Sequence, residues 1–350
     1  RVFALRGLLM LTGSISTASG LSSATGPAAT HASCDARAMA MMKQLDTAKH
    51  ASATPSQYRM VALDLDGTLL NKEHQLTEAS AEMLRSLSSS GFTVALATGR
   101  SAPAVYEHVK KLGLPKPLPV VCYNGASCRI FPAATTNPRE EQSTLFEEPL
   151  DDATVDAVLE FAASIGMMVQ YYVGDDIFVV CESEAHRDFV RRYQELTGAS
   201  HTYIDSYAEA RLAGLPSKAL IMTDEPDKVA AMALEYFKHQ GIDESRTAKV
   251  IPGSPPFFVE FLHPNVCKGN GLLKLCDMVG VTPEATIAMG DGDNDAEFLQ
   301  FAGLGIAMLN ARDRVKACAD KVSLKTNCED GVVFELEGLR DAGELSMPSK

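Results

Sequence analysis

The chain has 350 residues, of which 46% are hydrophobic and 22% charged, a balance typical of a globular protein with more than one domain. A net charge of −13, without a basic block interleaved with aromatic residues, argues against nucleic acid as a partner. The longest apolar runs fall far short of the ~18 residues needed to span a bilayer, so no membrane partner is expected.

The first 57 residues differ in composition from the rest. They hold five Lys or Arg against two Asp or Glu, and no acidic residue precedes Asp35. A segment rich in Ser, Thr, Ala and Gly without hydrophobic periodicity is predicted to be disordered. Such acid-poor composition is typical of organellar targeting segments. We expect a chloroplast location first and a mitochondrial one second, or a cytoplasmic one if residues 1–57 are an ordinary terminus.

From residue 58 onward, buried strands and helices alternate. This alternation predicts parallel strands joined by crossover helices in an open α/β sheet, with ligands beyond the carboxyl ends of the strands. Strands are predicted over 60–65, 93–97, 119–122, 286–289, 304–308 and 321–323. Helices are predicted over 77–90, 102–112, 295–302 and 311–319.

Residues 149–263 interrupt this alternation and are predicted to form an α+β insert. Helices are expected over 154–164, 184–196 and 226–240, and strands over 167–173, 177–181, 218–222 and 257–261. The core would then comprise residues 58–148 and 264–345. An aromatic and acidic patch in the insert would either face a substrate or form an exposed edge hairpin; its members are Tyr171, Tyr172, Asp175 and Asp176.

Two acidic clusters follow predicted strands. Asp64 and Asp66 precede Gly67, and a chain that turns at this glycine can bring the Asp64 side chain and the Asp66 carbonyl towards one point. A second run, 290–295 (GDGDND), adds carboxylates at the same edge of the sheet. Because clustered carboxylates repel each other, a divalent cation is expected, and oxygen ligands favour Mg²⁺. Solvated acidic turns are the alternative for either cluster alone.

Two other interpretations of the second cluster are excluded, because residues that they require are absent from the required positions. A calcium-binding EF-hand loop would need Gly and Glu where the chain has Ala296 and Ala302. A dinucleotide-binding fingerprint would need its third glycine where the chain has Asp295.

The eight cysteines are scattered without a C-x-x-C pair, which disfavours a structural zinc site or a disulfide scaffold. Cys122 and Cys128 are expected to be buried apolar residues.

Two further segments suit a phosphate group. Thr98 and Gly99 follow the second strand, where a hydroxyl and backbone amides at a helix start can bind phosphate oxygens, although Thr98 could equally be a helix cap. Lys268 precedes a helix just after the insert. A lysine beside the carboxylates would hold nucleophile and phosphate charges, and on its own it would more often be a surface residue.

The motifs DLDGTLL, ATGR, KGNGL and GDGDND, in this order and spacing over residues 58–342, resemble the haloacid dehalogenase superfamily of phosphatases. The position of the insert between the second and third motifs, with Asn124-Gly125-Ala126 after the third strand, resembles the Cof-type subgroup with a C2B cap. The resemblance implies a Rossmann-like three-layer α/β core with a parallel sheet and an inserted α+β cap that selects the substrate.

By this resemblance, Asp64 is the nucleophile that forms an aspartyl-phosphate, and Asp66 is the general acid and then the base. The phosphate-binding or nucleophile-orienting residues would be Thr98, Gly99, Asn124, Lys268 and Asn294. The ligands of Mg²⁺ would be Asp64, the carbonyl of Asp66, Asp291 and, through a water, Asp295.

The implied activity is hydrolysis of a small phosphorylated metabolite. Cof-type relatives act on sugar phosphates, vitamin phosphates and flavin mononucleotide, and a plastid location tilts the expectation towards the riboflavin pathway. A phosphomannomutase-like transferase, which also keeps both Asp64 and Asp66, is the alternative enzyme. A catalytically silent binding module is the alternative of another class.

Overall fold

The computed structural model describes residues 36–46, 57–242, 248–253 and 258–347. The strands are β1 (Met60–Asp64), β2 (Thr93–Ala97), β3 (Leu118–Cys122), β4 (Ser127–Phe131), β5 (Ser143–Glu147), β6 (Gln170–Val173), β7 (Asp176–Val179), β8 (Thr202–Tyr203), β9 (Lys218–Met222), β10 (Lys249–Pro252), β11 (Phe258–Leu262), β12 (Thr286–Gly290), β13 (Leu304–Ala307) and β14 (Lys321–Val322). The helices are α1 (Ala36–Asp46), α2 (Glu78–Ser89), α3 (Tyr106–Leu112), α4 (Pro138–Glu141), α5 (Asp152–Ser164), α6 (Glu184–Thr197), α7 (Tyr207–Ala213), α8 (Pro226–His239), α9 (Lys268–Val279), α10 (Ala296–Phe301), α11 (Asp313–Cys318) and α12 (Gly331–Asp341).

The first sheet has eight strands in the order β14-β13-β12-β1-β2-β3-β4-β5. Neighbouring strands pair parallel from β14 to β3, and β4 pairs antiparallel with both β3 and β5. In the central strand, Asp64 pairs with Ala97 of β2, and Leu63 pairs with Met289 of β12. The carboxyl ends of three neighbouring strands therefore coincide, and the loops that follow them meet at one edge.

Helices cover both faces of this sheet, which explains why β1, β2 and β3 are buried along their whole length. On one face, Val61 and Leu63 pack with Leu84 of α2 and Leu336 of α12. On the other face, the side chains of the intervening strand residues pack against α9, α10 and α11. The predicted α/β fold with an inserted α+β domain is confirmed. The antiparallel β4–β5 extension and α12 were not predicted.

Helix α1 departs from the expectation of disorder over residues 1–57. Ala38, Met41 and Leu45 recur at helical spacing and are buried in the hydrophobic cluster that contains Leu272 and Leu275 of α9. Burial of this apolar stripe stabilises a helix that composition alone does not predict. The prediction was therefore wrong for residues 36–46, and residues 1–35 and 47–56 lie outside the described residues.

The second sheet comes from the insert and has the strand order β10-β11-β9-β6-β7-β8. One face packs against α5 and α8, with Phe161 and Phe237 among the buried residues. The opposite face carries Tyr172 and Leu220, which join the hydrophobic cluster of the first sheet. Tyr171 and Tyr172 are both buried on a central strand, so the exposed edge hairpin expected as one alternative for the aromatic and acidic patch is wrong. That the patch faces a substrate stays a prediction.

Across the described ranges, no helix combines the length and apolar character needed to cross a bilayer.

The expectation that Cys122 and Cys128 are buried apolar residues is confirmed, since both are inaccessible to solvent. Burial raises the pKa of the Cys122 thiol to about 12, so this cysteine stays protonated.

Candidate active site

The turn after β1 brings the two acidic clusters together. Gly67 has φ +82, and a Cβ built on it would lie 2.3 Å from Oδ2 of Asp291. Only glycine meets both conditions, so this turn lets the loop after β12 approach the end of β1 closely. Thr68 then donates its hydroxyl hydrogen bond to Oδ1 of Asp291 at 3.1 Å. The predicted turn at Gly67 thereby becomes the contact between the two clusters.

Lys268, the first residue of α9, lies at the centre of the carboxylates. Its Nζ donates to Oδ1 of Asp64 at 2.5 Å and to Oδ1 of Asp295 at 2.7 Å, and all three side chains are buried. The helix start is held here by a close approach, because a Cβ on Gly125 would lie 2.3 Å from the carbonyl oxygen of Cys267. Lys268 is thus a buried ion-pair partner and not a surface lysine.

The buried carboxylates of this cluster repel one another, which shifts their pKa values. Burial, and then the charge of Asp295, raise the pKa of Asp64 to about 8 although Lys268 opposes the change. Burial and Asp295 likewise raise the pKa of Asp291 to about 6. Burial works to lower the pKa of Lys268, but Asp295 and Asp64 more than offset it and the pKa is raised. Negative charge at this edge of the sheet is therefore in excess.

The residues present fit a hard divalent cation. Asp64, Asp291 and Asp295 each offer a carboxylate oxygen, and these oxygens lie within 4.8 Å of one another. Three carboxylates face one ammonium group, and oxygen-only donors suit Mg²⁺ better than zinc. Both oxygens of Asp295 are already engaged, Oδ1 by Lys268 and Oδ2 by the backbone amides of Asp291 and Gly292. A water-mediated contact between Asp295 and such an ion stays a prediction.

The side chain of Asp66 forms its hydrogen bonds with residues outside this carboxylate cluster. Arg100 binds its carboxylate through Nε and Nη2, and Nδ1 of His74 lies 2.9 Å from Oδ1. Burial would raise the pKa of Asp66, but Arg100 and then His74 hold it below its ordinary value. The side chain is held as an anion in this conformation.

The predicted phosphate-binding residues meet beside the end of β2. The hydroxyl oxygen of Thr98 accepts from the amide of Arg100 at 3.1 Å, so its proton is available to another acceptor. Asn124 has φ +55, and its Oδ1 accepts from Nδ2 of Asn294 at 2.8 Å. A Cβ on Gly99 would lie 3.1 Å from that same Oδ1. The loops after β2, β3 and β12 are therefore in contact.

Four contributing residues were missed as site residues. Thr68 and Arg100 stand inside the quoted motifs, and their positions after β1 and β2 were a usable signal. Asn310 donates to the Gly67 carbonyl at 2.8 Å and lies 3.3 Å from Oδ2 of Asp291. It and His74 come from loops of the first sheet that carry no motif, so nothing in the sequence pointed to them.

The chain is similar to known proteins over most of its length. The profile of a family described as haloacid dehalogenase-like hydrolase matches residues 61–336. The chain is 29% identical over 275 residues to the 5-amino-6-(5-phospho-D-ribitylamino)uracil phosphatase YitU of Bacillus subtilis, covering 78% of this chain and 94% of that protein. It is 25% identical over 276 residues to the chloroplastic endoribonuclease YBEY of Arabidopsis thaliana, covering 79% of this chain but only 45% of that protein. The crystal structure of TM0651 from Thermotoga maritima matches with a TM-score of 0.67 at 26% identity, covering 80% of this chain and 97% of that one.

Proposed function

The chain belongs to the haloacid dehalogenase-like hydrolases, and on this basis we propose that it is a Mg²⁺-dependent phosphatase that works through an aspartyl-phosphate on Asp64. It is a phosphatase of small phosphorylated substrates, in line with the family and the relatives that carry this name. The observation that supports the finer proposal is the convergence of Asp64, Asp291 and Asp295 on Lys268 at the carboxyl ends of the strands.

Asp64 is placed to act as the nucleophile. One carboxylate oxygen would attack phosphorus while the bond to the leaving oxygen breaks, which leaves the phosphoryl group on Asp64. Lys268 favours the ionised form of Asp64 that this attack requires. A bound Mg²⁺, held by Asp64, Asp291, the Asp66 carbonyl and, through a water, Asp295, would supply the positive charge that keeps these carboxylates ionised and polarises the phosphoryl oxygens.

Asp66 would move the protons. It would donate one to the leaving oxygen and then accept one from the water that attacks the aspartyl-phosphate, a role that typically contributes ~10²–10⁴-fold in rate. Its carboxylate must turn from Arg100 to do so, because Arg100 occupies both oxygens in this conformation.

The remaining site residues would hold the transferring group. Lys268, at the start of α9, and the Thr98 hydroxyl, which directly follows β2, are hydrogen-bond donors at this edge of the sheet. The amides of the loop that contains Gly99 add further donors, and Asn294 orients Asn124 through their shared hydrogen bond. Fixed donors of this kind stabilise the charge of the phosphoryl group in the transition state.

The substrate class proposed is a sugar phosphate or a phosphorylated vitamin precursor. YitU is named for 5-amino-6-(5-phospho-D-ribitylamino)uracil, a phosphorylated precursor that carries a ribityl chain. This supports the expectation of a riboflavin-pathway phosphate or flavin mononucleotide. The insert (149–263) would choose among such leaving groups, because the proposed roles of the residues at the edge of the first sheet concern only the phosphoryl group.

The test is phosphate release from a panel of phosphate esters, including p-nitrophenyl phosphate, sugar phosphates, flavin mononucleotide and the ribitylaminouracil phosphate. The protein should release phosphate with Mg²⁺, lose activity on chelation and fail to recover it with Zn²⁺ alone. Asp64→Asn should be inactive. Release by Asp64→Asn at the wild-type rate would overturn the proposal, and transfer of phosphate back to substrate instead of water would indicate the mutase. No release from any ester would favour the binding module.

We further infer that the acid-poor residues before α1 direct the chain to an organelle, with the plastid first and the mitochondrion second. A fusion of residues 1–57 to a fluorescent reporter tests this in plant cells. Plastid or mitochondrial fluorescence would support the inference, and diffuse cytoplasmic fluorescence would contradict it.

A further inference from the structure

One lysine of the insert lies between two aromatic rings, one in the second sheet and one in the segment that follows β3. Nζ of Lys218, the first residue of β9, is 4.6 Å from the ring centroid of Tyr172 in β6 and 5.1 Å from that of Tyr123, which follows β3. Both distances are within the ~6 Å over which a cation is attracted to the face of an aromatic ring. Lys218 therefore joins the insert to the first sheet through one ammonium group.

Glu260 of β11 keeps this ammonium group charged. Nζ of Lys218 donates to its Oε1 at 2.9 Å, and both side chains are almost fully buried. Burial works to lower the pKa of Lys218, but Glu260 more than offsets this and the pKa is raised. Since a buried ion pair is often no more stabilising than an apolar pair of similar volume, stability does not explain it well. The ion pair is better explained by the position in which Glu260 holds the ammonium group of Lys218, between the rings of Tyr172 and Tyr123.

The insert presents Lys218 on a rigid support. The hydroxyl of Tyr172 lies 2.8 Å from Oε1 of Gln170 and 2.9 Å from the hydroxyl of Tyr193 in α6. The ring of Tyr172 meets that of Tyr123 edge-on, with centroids 5.8 Å apart and an angle of 75°. Tyr123 thus contacts both the ammonium group of Lys218 and the ring of Tyr172.

Tyr123 is bonded to Asn124, and both have a left-handed backbone, with φ +50 and φ +55. Residues other than glycine adopt this conformation at a free-energy cost and keep it only where their surroundings enforce it. Two backbone bonds contribute, from the Tyr123 amide to the Arg100 carbonyl (3.1 Å) and from the Asn124 amide to the Thr98 carbonyl (3.0 Å). From the insert, the ammonium group of Lys218 and the ring of Tyr172 both contact the Tyr123 ring.

We propose that Lys218, held by Glu260, is a positioning residue that fixes the backbone of Tyr123 and Asn124 and so places the Asn124 side chain for phosphate. The effect on phosphate binding rests on the proposed function, whereas the effect on the loop does not. The insert would thereby tune the phosphate site as well as select the leaving group.

The loop is tested first, by hydrogen exchange at the amides of Tyr123 and Asn124. Lys218→Met should speed exchange there by roughly three- to tenfold, as loss of a desolvated cation–π contact implies. Lys218→Arg keeps the charge and should stay near wild type. Arg211→Met is the matched control, because Arg211 forms its ion pairs with Asp152 and Asp156 inside the insert. Exchange in Lys218→Met equal to that in the control would overturn the proposal.

Phosphate binding is tested next, as competitive inhibition of p-nitrophenyl phosphate hydrolysis by inorganic phosphate with Mg²⁺. Lys218→Met should raise the inhibition constant by roughly three- to tenfold while kcat changes less. In an Asn124→Ala background it should add nothing, because Lys218 acts through Asn124. Additive effects would overturn the proposal. If the wild type releases no phosphate, the proposed function fails and the exchange measurement still decides the positioning role.

A second set of variants keeps the test open if Lys218→Met does not fold. Lys218→Met combined with Glu260→Leu removes both charges of the buried pair, a replacement that proteins often tolerate. Tyr123→Leu removes the ring and leaves the ion pair intact. Both should speed exchange at Asn124, and wild-type exchange in both would overturn the proposal.

Discussion

Arg100 binds the carboxylate of Asp66 through two hydrogen bonds, from Nε to Oδ2 at 2.7 Å and from Nη2 to Oδ1 at 2.5 Å. The two residues follow β2 and β1, and the pairing of these strands brings them together. A general acid must carry a proton before it can protonate a leaving oxygen. Arg100 therefore controls how readily Asp66 takes up the proton that the proposed chemistry needs.

Replacing Arg100 should change the pH dependence of turnover. In Arg100→Met, burial of Asp66 is opposed only by His74, so the pKa of Asp66 should rise from its lowered value. Since the acid form is required, the alkaline limit of kcat/KM should move to higher pH. A pH–rate profile checks this, with Arg85→Met, which disturbs a remote ion pair with Glu78, as the control. An unchanged alkaline limit would argue against control of Asp66 by Arg100.

Asp66→Asn should reveal its role through the leaving group. With a sugar phosphate, whose alkoxide needs a proton, kcat should fall by about 10²–10⁴-fold. With p-nitrophenyl phosphate the loss should be much smaller, because nitrophenolate leaves without protonation. Steady-state kinetics on both esters measures the difference. Equal losses on the two esters would exclude Asp66 as the acid.

Asp64 should make the metal-free protein progressively less stable as the pH rises from about 4 to about 8. The pKa of Asp64 is raised in the folded state to about 8, so the folded protein keeps a proton that the unfolded chain has lost above its ordinary value of 3.8. Asp64→Asn does not titrate, and in chelator at pH 8 its Tm should exceed that of wild type by roughly 2–4 °C. Thermal melts across pH check this. Parallel wild-type and variant curves would contradict the account, and added Mg²⁺ should remove the difference.

Helix α1 should contribute to stability without contributing to catalysis. Leu45→Ala should lower the free energy of unfolding by about 2–5 kcal/mol, because the side chain is buried against the core. Met39→Ala is the matched control, since Met39 lies on the exposed side of the same helix. Denaturant unfolding and kcat/KM of the folded protein check both parts. Equal stability of the two variants would show that packing of α1 on the core does not stabilise the protein. A large loss of kcat/KM would indicate that α1 contributes to catalysis.

The sequence predicted which strand ends of the first sheet share one edge. Asp64, Thr98 and Asp291 each follow a short apolar run, and such runs are recognisable as buried strands of a parallel sheet. Once the strands are parallel, their carboxyl ends must share an edge, so the meeting of these residues follows from topology. Lys268 could be added only through the resemblance to a family, because no periodicity places a lone lysine beside carboxylates.

What the sequence did not predict depends on contacts between distant side chains. Strand β4 contains Arg129, which looks like a surface residue until its partner Glu147 in β5 is known. The apolar stripe of α1 (Ala38, Met41 and Leu45) is too short, and its side chains are too small, to be recognised in the sequence without knowing the surface that buries it. The Lys218–Glu260 pair is likewise invisible, because its members are 42 residues apart on separate strands.

The most direct test of the central claim is to trap the enzyme during turnover of a ³²P-labelled substrate with Mg²⁺ and to locate the label by acid quench and peptide mass spectrometry. We expect an acid-stable, base-labile acyl phosphate on Asp64 that is absent in Asp64→Asn. Release of labelled phosphate without any protein-bound label, or label on a different residue, would contradict it.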